Sequence, residues 1–196
     1  IMCGIFGFLL NENLNENDIK EGMNATSKLR HRGPDNLDYW FDVNDGIFLG
    51  HTRLSIIDLD KRSNQPSLSQ SSAMVFNGEI YNFKEIRKKL ELEGNKFRTS
   101  GDTEVLHRLL EVNNSNESFK KLDGMFAISF YENASLTLAV DNFGEKPLFW
   151  IKNHKGLYFS SEIQPLFEML CLEKDISEEK IAEFTTSGFL NNGRTF

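Results

Sequence analysis

Two neighbouring segments in which apolar residues occupy every second position constrain the fold most strongly. In residues 125–131, Phe126, Ile128 and Phe130 share one side, and residues 136–141 repeat the pattern after a short polar turn. Successive side chains of a strand point to opposite faces of a sheet, so this spacing predicts two strands, each with one buried face. The polar residues between them predict a β-hairpin.

Further strands and helices are predicted from periodicity and from turn residues. Strands are predicted over residues 3–10, 39–43, 47–57, 74–76, 148–151 and 157–160. Helices are predicted over residues 18–29, 82–93, 102–112, 162–172 and 177–186. Residues 44–46 carry a hairpin signal, and residues 61–73 are typical of a loop. Strand runs interleaved with helix pairs predict a layered α+β domain, and two sheets packed face to face are one arrangement that fits.

The helix over residues 82–93 has the clearest end signals. Asn82 and Glu85 have the spacing of a capping box, and Gly94 can end the helix. The next helix begins at Asp102, an acidic residue suited to the N-cap position and to the positive end of the helix dipole.

Composition and charge exclude several classes of protein. The chain has 196 residues, of which 39% are hydrophobic, so it can bury one sizeable core. A formal net charge of −7 offers no positive surface for nucleic acid. Residues 5–10 form the longest apolar stretch near the start, far below the roughly 20 residues that a membrane span needs. We expect neither a nucleic-acid nor a membrane partner.

The cysteines and histidines indicate a reducing environment without metal. Cys3 and Cys171 are too few for a disulfide framework, and none of the four histidines lies at a metal-ligand spacing. A cytoplasmic location is therefore expected, with no bound metal. Cys171 is expected to be a buried residue within a helix.

Cys3 is a candidate nucleophile because it lies beside the start of the chain. An N-terminal cysteine can use its own α-amine as a base, and that amine has a reference pKa of about 7.7–8.0. The alternative is a small buried residue at the start of a strand, a common role of unpaired cysteine. Cys3 alone favours this alternative, so the decision depends on the rest of the chain.

Two cationic segments are candidates for binding or positioning. Residues 30–35, with the sequence RHRGPD, combine three potential cations with a tight turn, which indicates that the turn presents them to another group. Arg53 lies in an otherwise apolar predicted strand, where a guanidinium needs a carboxylate partner. A substrate carboxylate is one candidate partner, and an arginine at an exposed strand edge is an equal alternative.

Two further positions carry polar groups at the ends of predicted elements. Asn77 and Gly78 end a predicted strand and can offer a side-chain amide and an unhindered backbone N–H together. Those are the parts of an oxyanion hole, although an ordinary Asn-Gly turn is equally expected on local grounds. Asp102, at a predicted helix start, either caps that helix or binds a cationic amine of a substrate.

Taken together, these segments are similar to a known family. The matching segments are MCGIFG at residues 2–7, RHRGPD at 30–35, RLSI at 53–56, NGE at 77–79 and GDTE at 101–104. They resemble class II glutamine amidotransferases, the glutaminase domains of the N-terminal nucleophile hydrolases. Within that class, FGEKPL at 143–148 and FSSEI at 159–163 also resemble asparagine synthetases. The resemblance implies a four-layer α/β/β/α sandwich of two antiparallel sheets.

The resemblance also implies a reaction. Cys3 is expected to attack the side-chain amide of L-glutamine, forming a γ-glutamyl thioester and releasing ammonia. Water then releases glutamate. The side chain of Asn77 and the backbone N–H of Gly78 are expected to hold the oxyanion.

The remaining matching residues are expected to bind the substrate. Arg53 would bind the α-carboxylate of glutamine, and Asp102 with Glu79 would receive its α-ammonium group. The backbone expected to line the same pocket belongs to Leu54, Ser55, Ile56 and Ile57.

The resemblance further implies a second domain beyond this sequence. Residues 1–170 are expected to form the glutamine amidotransferase domain, and residues 171–196 a helical extension toward an ATP-dependent synthetase domain. ATP, Mg²⁺ and aspartate would belong to that second domain, because its phosphate-binding loop does not occur in these residues. No cofactor is expected in the glutaminase domain itself, and a homodimer is left open.

The start of the chain departs from the family pattern. The family needs cysteine as the first residue of the mature chain, whereas Ile1 and Met2 precede Cys3 here. This chain is therefore expected to be weakly active or inactive until both residues are removed.

Two rival functions stay open. They are an amidotransferase for another acceptor, such as a sugar acid, and a non-catalytic scaffold of the same fold. The scaffold is disfavoured because it has no need of all the matching residues.

Overall fold

Two antiparallel sheets form the centre of this computed structural model, which describes residues 2–55, 61–113, 115–173 and 177–188. The first sheet has the order β2-β3-β1-β9-β8, and the second has the order β4-β5-β6-β7. The strands of the first sheet are β1 (Gly4–Leu10), β2 (Asn36–Asp42), β3 (Ile47–Arg53), β8 (Phe149–Lys152) and β9 (Gly156–Ser160). The strands of the second sheet are β4 (Ser67–Leu68), β5 (Ser72–Ile80), β6 (Gly124–Glu132) and β7 (Ser135–Val140).

The described residues form six α-helices, of which all but the last contribute residues to the hydrophobic clusters on the outer faces of the sheets. They are α1 (Glu16–Ser27), α2 (Phe83–Leu92), α3 (Asp102–Val112), α4 (Ser115–Phe119), α5 (Ile163–Met169) and α6 (Glu178–Ser187). In the ranges that the structure describes, no helix is long and apolar enough to cross a membrane.

Three hydrophobic clusters separate four layers. One cluster lies between the sheets and includes Ile5 from β1 and Val75 from β5. A second joins the outer face of the first sheet to α1 and α5. In it the rings of Phe8 and Phe48 are stacked, with their centroids 5.3 Å apart. The third joins the second sheet to α2 and α3, as with Leu106. Because alternate residues of each central strand enter different clusters, both faces are buried, and the predicted α/β/β/α sandwich is confirmed.

The strand register brings the start of β1 to the end of β3. Gly4 pairs with Thr52, so Cys3 lies beside the residues that follow β3. Gly33 allows the preceding turn to approach closely, because a β-carbon there would lie 2.4 Å from the carbonyl oxygen of Thr52. The segment over residues 30–35 is thereby packed against the end of β3.

Several predicted boundaries are wrong because long-range pairing outweighs local turn signals. β5 does not end at Asn77 and Gly78 but continues to Ile80, since β6 pairs with it over its whole length. Residues 61–73, predicted as a loop, contain β4 and the start of β5. β3 ends at Arg53 rather than at residue 57, and residues 56–60 lie outside the described residues.

The predicted helix caps are also corrected. Asn82 precedes α2, but its amide donates to the carbonyl of Lys121 at 2.8 Å and accepts from the N–H of Asp123 at 3.1 Å, so no capping box forms there. A capping box occurs instead at the start of α1, between Asn15 and Asp18.

The structure also corrects the predicted setting of Cys171. This residue follows the end of α5, has a positive φ of +49° and is exposed, so it is neither buried nor helical. The proposed domain boundary after residue 170 stays a prediction. Residues 189–196 lie outside the described part of the chain.

Candidate active site

A small cavity of about 140 Å³ lies where the start of β1, the end of β3, β5 and the start of α3 meet. Pockets for drug-sized ligands measure about 300–1,000 Å³, so this volume suits a smaller molecule. Predicted site residues that line it are Cys3, Arg53, Leu54, Asn77, Gly78, Glu79 and Asp102. Ser55 is not among the lining residues, and Ile56 and Ile57 lie outside the described residues.

The Cys3 thiol is held by the backbone of Leu54. The Leu54 N–H donates to Sγ over 3.3 Å, and Sγ lies 3.6 Å from the Leu54 carbonyl oxygen. Burial raises the pKa of the Cys3 thiol, although Leu54 and the guanidinium groups of Arg53 and Arg32 act in the opposite direction. The resting group is therefore a thiol, so its use as a nucleophile requires a base that removes the proton.

The segment over residues 30–35 positions Cys3 through its backbone. Arg32 donates from Nε to the Cys3 carbonyl oxygen at 3.0 Å and from Nη1 to Glu162 Oε1 at 2.9 Å. His31 Nε2 lies 2.9 Å from the same Glu162 oxygen. Burial acts to raise the pKa of Glu162, but Arg32 and His31 outweigh it and lower that pKa. The turn therefore presents Arg32 to the residue at the start of β1.

Arg53 is buried rather than exposed at a strand edge. Only 7% of its surface is exposed, and Nη1 donates to Asn64 Oδ1 over 2.6 Å. Arg53 also lines the cavity that Cys3 lines. Of the two sequence-based interpretations of Arg53, the geometry therefore favours a residue that can meet an anionic group inside the cavity.

Asn77 and Gly78 lie within β5, opposite Ala127 and Phe126 of β6. The Asn77 side chain is almost fully buried, yet its Nδ2 has no hydrogen-bond acceptor among the described residues. Buried amide groups nearly always have partners, so this donor is available for a group inside the cavity.

Gly78 is required by its backbone conformation and by its surroundings. Its φ is +154°, and a β-carbon there would lie only 2.0 Å from the carbonyl oxygen of Met125. Any side chain would therefore push β5 away from β6 and disturb the edge of the cavity.

Asp102 is the first residue of α3 and not its N-cap, a position that Gly101 occupies. Its Oδ2 accepts from the Ile80 N–H at 3.0 Å, which ties the start of α3 to the end of β5. Burial raises the pKa of Asp102, and the nearby Glu79 acts in the same direction, while the Ile80 N–H opposes both. A cationic group in the cavity would relieve this cost.

Two further lining residues carry polar groups to which the sequence analysis gave no role. Gln65 is buried and makes two hydrogen bonds with the backbone of Phe76. Its Nε2 donates to the Phe76 carbonyl oxygen at 3.0 Å, and its Oε1 accepts from the Phe76 N–H at 2.6 Å. Lys146 is 8% exposed and belongs to the FGEKPL segment, which supported the resemblance without indicating where its lysine points. In the described ranges, no three His, Cys, Asp or Glu side chains lie close enough to hold a metal ion.

The fold is shared with two solved structures. A glutamine phosphoribosylpyrophosphate amidotransferase from Bacillus subtilis superposes with a TM-score of 0.71 at 22% identity, over 86% of this chain and 44% of that chain. The structure of an allosteric regulatory enzyme of purine biosynthesis gives 0.69 at 21% identity, over 86% and 43%. The two antiparallel sheets and their helices thus have the fold of the N-terminal nucleophile hydrolases.

Sequence comparison gives the family within that class. A profile of the glutamine amidotransferase domain matches residues 2–196, and the chain belongs to that family. It is 35% identical to "Asparagine synthetase [glutamine-hydrolyzing] 1" of Bacillus subtilis, over 92% of this chain and 28% of that protein. It is 32% identical to a putative asparagine synthetase of Methanocaldococcus jannaschii, over 90% and 36%. The chain thus spans about a third of the length of these relatives.

Proposed function

We propose that this domain hydrolyses L-glutamine to glutamate and ammonia through a thioester on Cys3. The observation that carries the proposal is the buried Asn77 Nδ2, which has no acceptor among the described residues and belongs to a residue that lines the same cavity as Cys3. A nucleophile beside a preorganised, unpaired donor is the arrangement that acyl transfer requires. The family match supports the same reaction.

Charges at two places in the cavity support binding of an amino acid. In the proposal, the Arg53 guanidinium binds the α-carboxylate of glutamine, and Asp102 with Glu79 receives the α-ammonium group. The side-chain amide then extends toward the Cys3 thiol. The buried Asp102 carboxylate gains an opposite charge from the substrate, which offsets part of the cost of its burial.

The proposed chemistry begins with attack of Cys3 Sγ on the carboxamide carbon. The carbonyl electron pair moves onto oxygen, where Asn77 Nδ2 and the Gly78 N–H stabilise it. The Cys3 α-amine takes the thiol proton and passes it to the leaving nitrogen, so the C–N bond breaks and ammonia departs. Water then attacks the γ-glutamyl thioester, glutamate leaves, and the thiol recovers its proton.

This mechanism depends on removal of Ile1 and Met2. While they remain, the nitrogen of Cys3 is an amide and cannot accept a proton. Because burial raises the thiol pKa, little thiolate forms without a base. The free α-amine therefore has a specific task in the proposed reaction.

We further propose that the ammonia reaches a carboxylate activated by ATP in a second domain, with aspartate as the acceptor. The relatives named above, asparagine synthetases that are longer than this chain, support the proposal. ATP and Mg²⁺ would bind in that second domain. Another carboxylate acceptor, such as a sugar acid, is the alternative, and a reducing cytoplasm remains the expected location.

The test is glutamate release by a chain that begins at Cys3. We expect turnover from this chain, loss of turnover with Cys3→Ala, and full turnover with Cys171→Ala, which removes the exposed thiol. The chain that keeps Ile1 and Met2 should be slower by about 10²–10⁴, the usual contribution of general acid–base catalysis. Acid-quenched mass spectrometry should detect the γ-glutamyl adduct on Cys3. No glutamate from the chain beginning at Cys3 would favour the scaffold interpretation.

A further inference from the structure

Lys146 places a buried positive charge beside the start of the chain. Its side chain is 8% exposed, and Nζ lies 3.0 Å from Sδ of Met2. Both residues line the cavity that contains Cys3. Over the ranges that the structure describes, no carboxylate lies within 4.0 Å of Nζ. A thioether is a weak acceptor, so the contact with Met2 does little to replace lost hydration.

The backbone of Lys146 is held firmly, so this placement differs from that of a mobile surface lysine. The buried Asp141 carboxylate accepts the N–H groups of Phe126, Phe143, Glu145 and Lys146 at 3.0–3.2 Å. Burial acts to raise the pKa of Asp141, but these backbone donors outweigh it and lower that pKa. An ionised carboxylate thus fixes the loop that carries Lys146 to β6.

We propose that Lys146 is a positioning residue for the reaction above: its ammonium disfavours protonation of the Cys3 α-amine and so keeps that amine available as the base. The inference rests on the proposed function. Removal of Ile1 and Met2 exposes the new α-amine at the end of the chain segment that Lys146 contacts through Met2. A cation close to an amine opposes a second positive charge on it.

The other charged groups that face Cys3 are occupied in the proposed complex. Arg32, in the turn after α1, is paired with Glu162. Arg53 at the end of β3 is assigned to the substrate carboxylate. Asp102 at the start of α3 is assigned to the substrate ammonium.

Glu79 in β5 shares the ammonium with Asp102. With glutamine bound as a zwitterion, Arg53, Asp102 and Glu79 leave one negative charge in excess, which lies on the two carboxylates assigned to the ammonium group. Lys146 keeps no carboxylate partner among the described residues. Its charge adjoins Met2, the residue that precedes the Cys3 α-amine, and opposes a second positive charge nearby.

The experiment compares pH profiles of kcat/KM for glutamate release by chains that begin at Cys3. Lys146→Met removes the charge and keeps much of the volume, Lys146→Arg keeps the charge, and Lys152→Met removes an exposed lysine from β8. We expect Lys146→Met to move the acidic limb to higher pH by about one unit, with ~10-fold loss near pH 6.5 and recovery near pH 9. Lys146→Arg and Lys152→Met should keep the original limb.

Other outcomes would overturn the inference. An equal loss at every pH indicates a structural role, and a raised KM with an unmoved limb indicates that Lys146 binds the substrate carboxylate. Circular dichroism of each variant checks folding.

A second measurement does not depend on turnover. ¹⁵N NMR of a chain beginning with Cys3→Ser reports the pKa of the α-amine of residue 3 directly. We expect that pKa to rise when Lys146→Met is added. An unchanged pKa would contradict the inference even if the glutaminase is active, and failure of glutamate release with a raised pKa would count against the proposed function alone.

Discussion

β5 carries two buried polar clusters, one at its start and one further along the strand, that differ in one respect. At the first end, Ser72 Oγ donates to Glu111 Oε1 at 2.8 Å and lies 2.8 Å from His107 Nε2. His107 Nδ1 in turn lies 2.7 Å from Ser67 Oγ. Further along β5, Asn77 Nδ2 has no acceptor among the described residues. A polar network whose members are all bonded stabilises the fold, whereas an unpaired buried donor is free to meet a ligand.

The pKa shifts of the titratable groups also differ between the two clusters. Burial lowers the pKa of His107 to about 4, so it is neutral near pH 7 and bonded on both ring nitrogens. In the second cluster, burial raises the pKa values of Cys3 and Asp102, and ligand groups of suitable charge would offset part of the cost of burying these groups. The members of the first cluster bond to one another, whereas the second leaves a donor for the substrate that we propose.

The largest effect that tests this comparison is expected from Asn77→Ala. Loss of an oxyanion donor should lower kcat for glutamate release by about 10²–10³, with little change in Tm, because Nδ2 bonds to none of the described residues. The matched control is Asn82→Ala, which removes two bonds to Lys121 and Asp123. That variant should lose stability and keep kcat. The opposite pattern in the two variants would refute the distinction between the clusters.

A smaller effect is expected at the bonded end from Ser72→Ala. Its hydroxyl lies within hydrogen-bond distance of His107, Glu111 and Ser69, so its removal leaves buried polar groups short of partners. The free energy of unfolding in urea should fall by about 1–3 kcal/mol, with kcat/KM unchanged. Ser71→Ala, at an exposed neighbouring position, should alter neither quantity. A loss of activity without a loss of stability in Ser72→Ala would show that this cluster takes part in the reaction.

The smallest effect concerns pH. The folded-state pKa of His107, about 4, lies below its unfolded value of about 6.5, so the unfolded chain binds more protons between these values. Stability is therefore complete above pH 6.5 and declines as the pH falls toward 4. His51, whose pKa burial lowers to about 3, acts in the same direction.

The measurement is urea unfolding at pH 7 and pH 5. We expect a decrease of about 1–2 kcal/mol from His107, after allowance for its coupling to Glu111. His107→Gln should reduce the pH dependence, whereas His154→Gln, at an exposed position, should leave it unchanged. An identical slope in wild type and His107→Gln would contradict this assignment.

Local patterns predicted most of the elements but few of their ends. The hairpin of β6 and β7 and the helix α3 lie where periodicity indicated, because their apolar faces repeat at the period of the structure they form. β5 was predicted to stop at Asn77, yet it continues because β6 supplies a partner at every position. An Asn-Gly pair lowers strand propensity by less than a long antiparallel ladder contributes.

The candidate site could be predicted in its membership but not in its geometry. The sequence motifs indicated Cys3, Arg53, Asn77 and Asp102, which the structure brings to one cavity, while their chemical roles stay predictions. The motif over residues 30–35 indicated that its cations contact another group. It did not indicate that Arg32 donates a hydrogen bond to the Cys3 carbonyl oxygen. Lys146 was missed because only the packing of its loop turns the side chain inward.

By itself, the sequence determined the class of fold, the family and the residue types available for chemistry. These properties depend on periodicity and on short motifs, which are local. The tertiary structure decided which buried polar groups are bonded to one another and which are left for a ligand. That outcome separates Ser72 from Asn77 on the same strand, and no local pattern contains it. The physical reason is that a hydrogen bond requires a partner from elsewhere in the chain at the correct distance and angle.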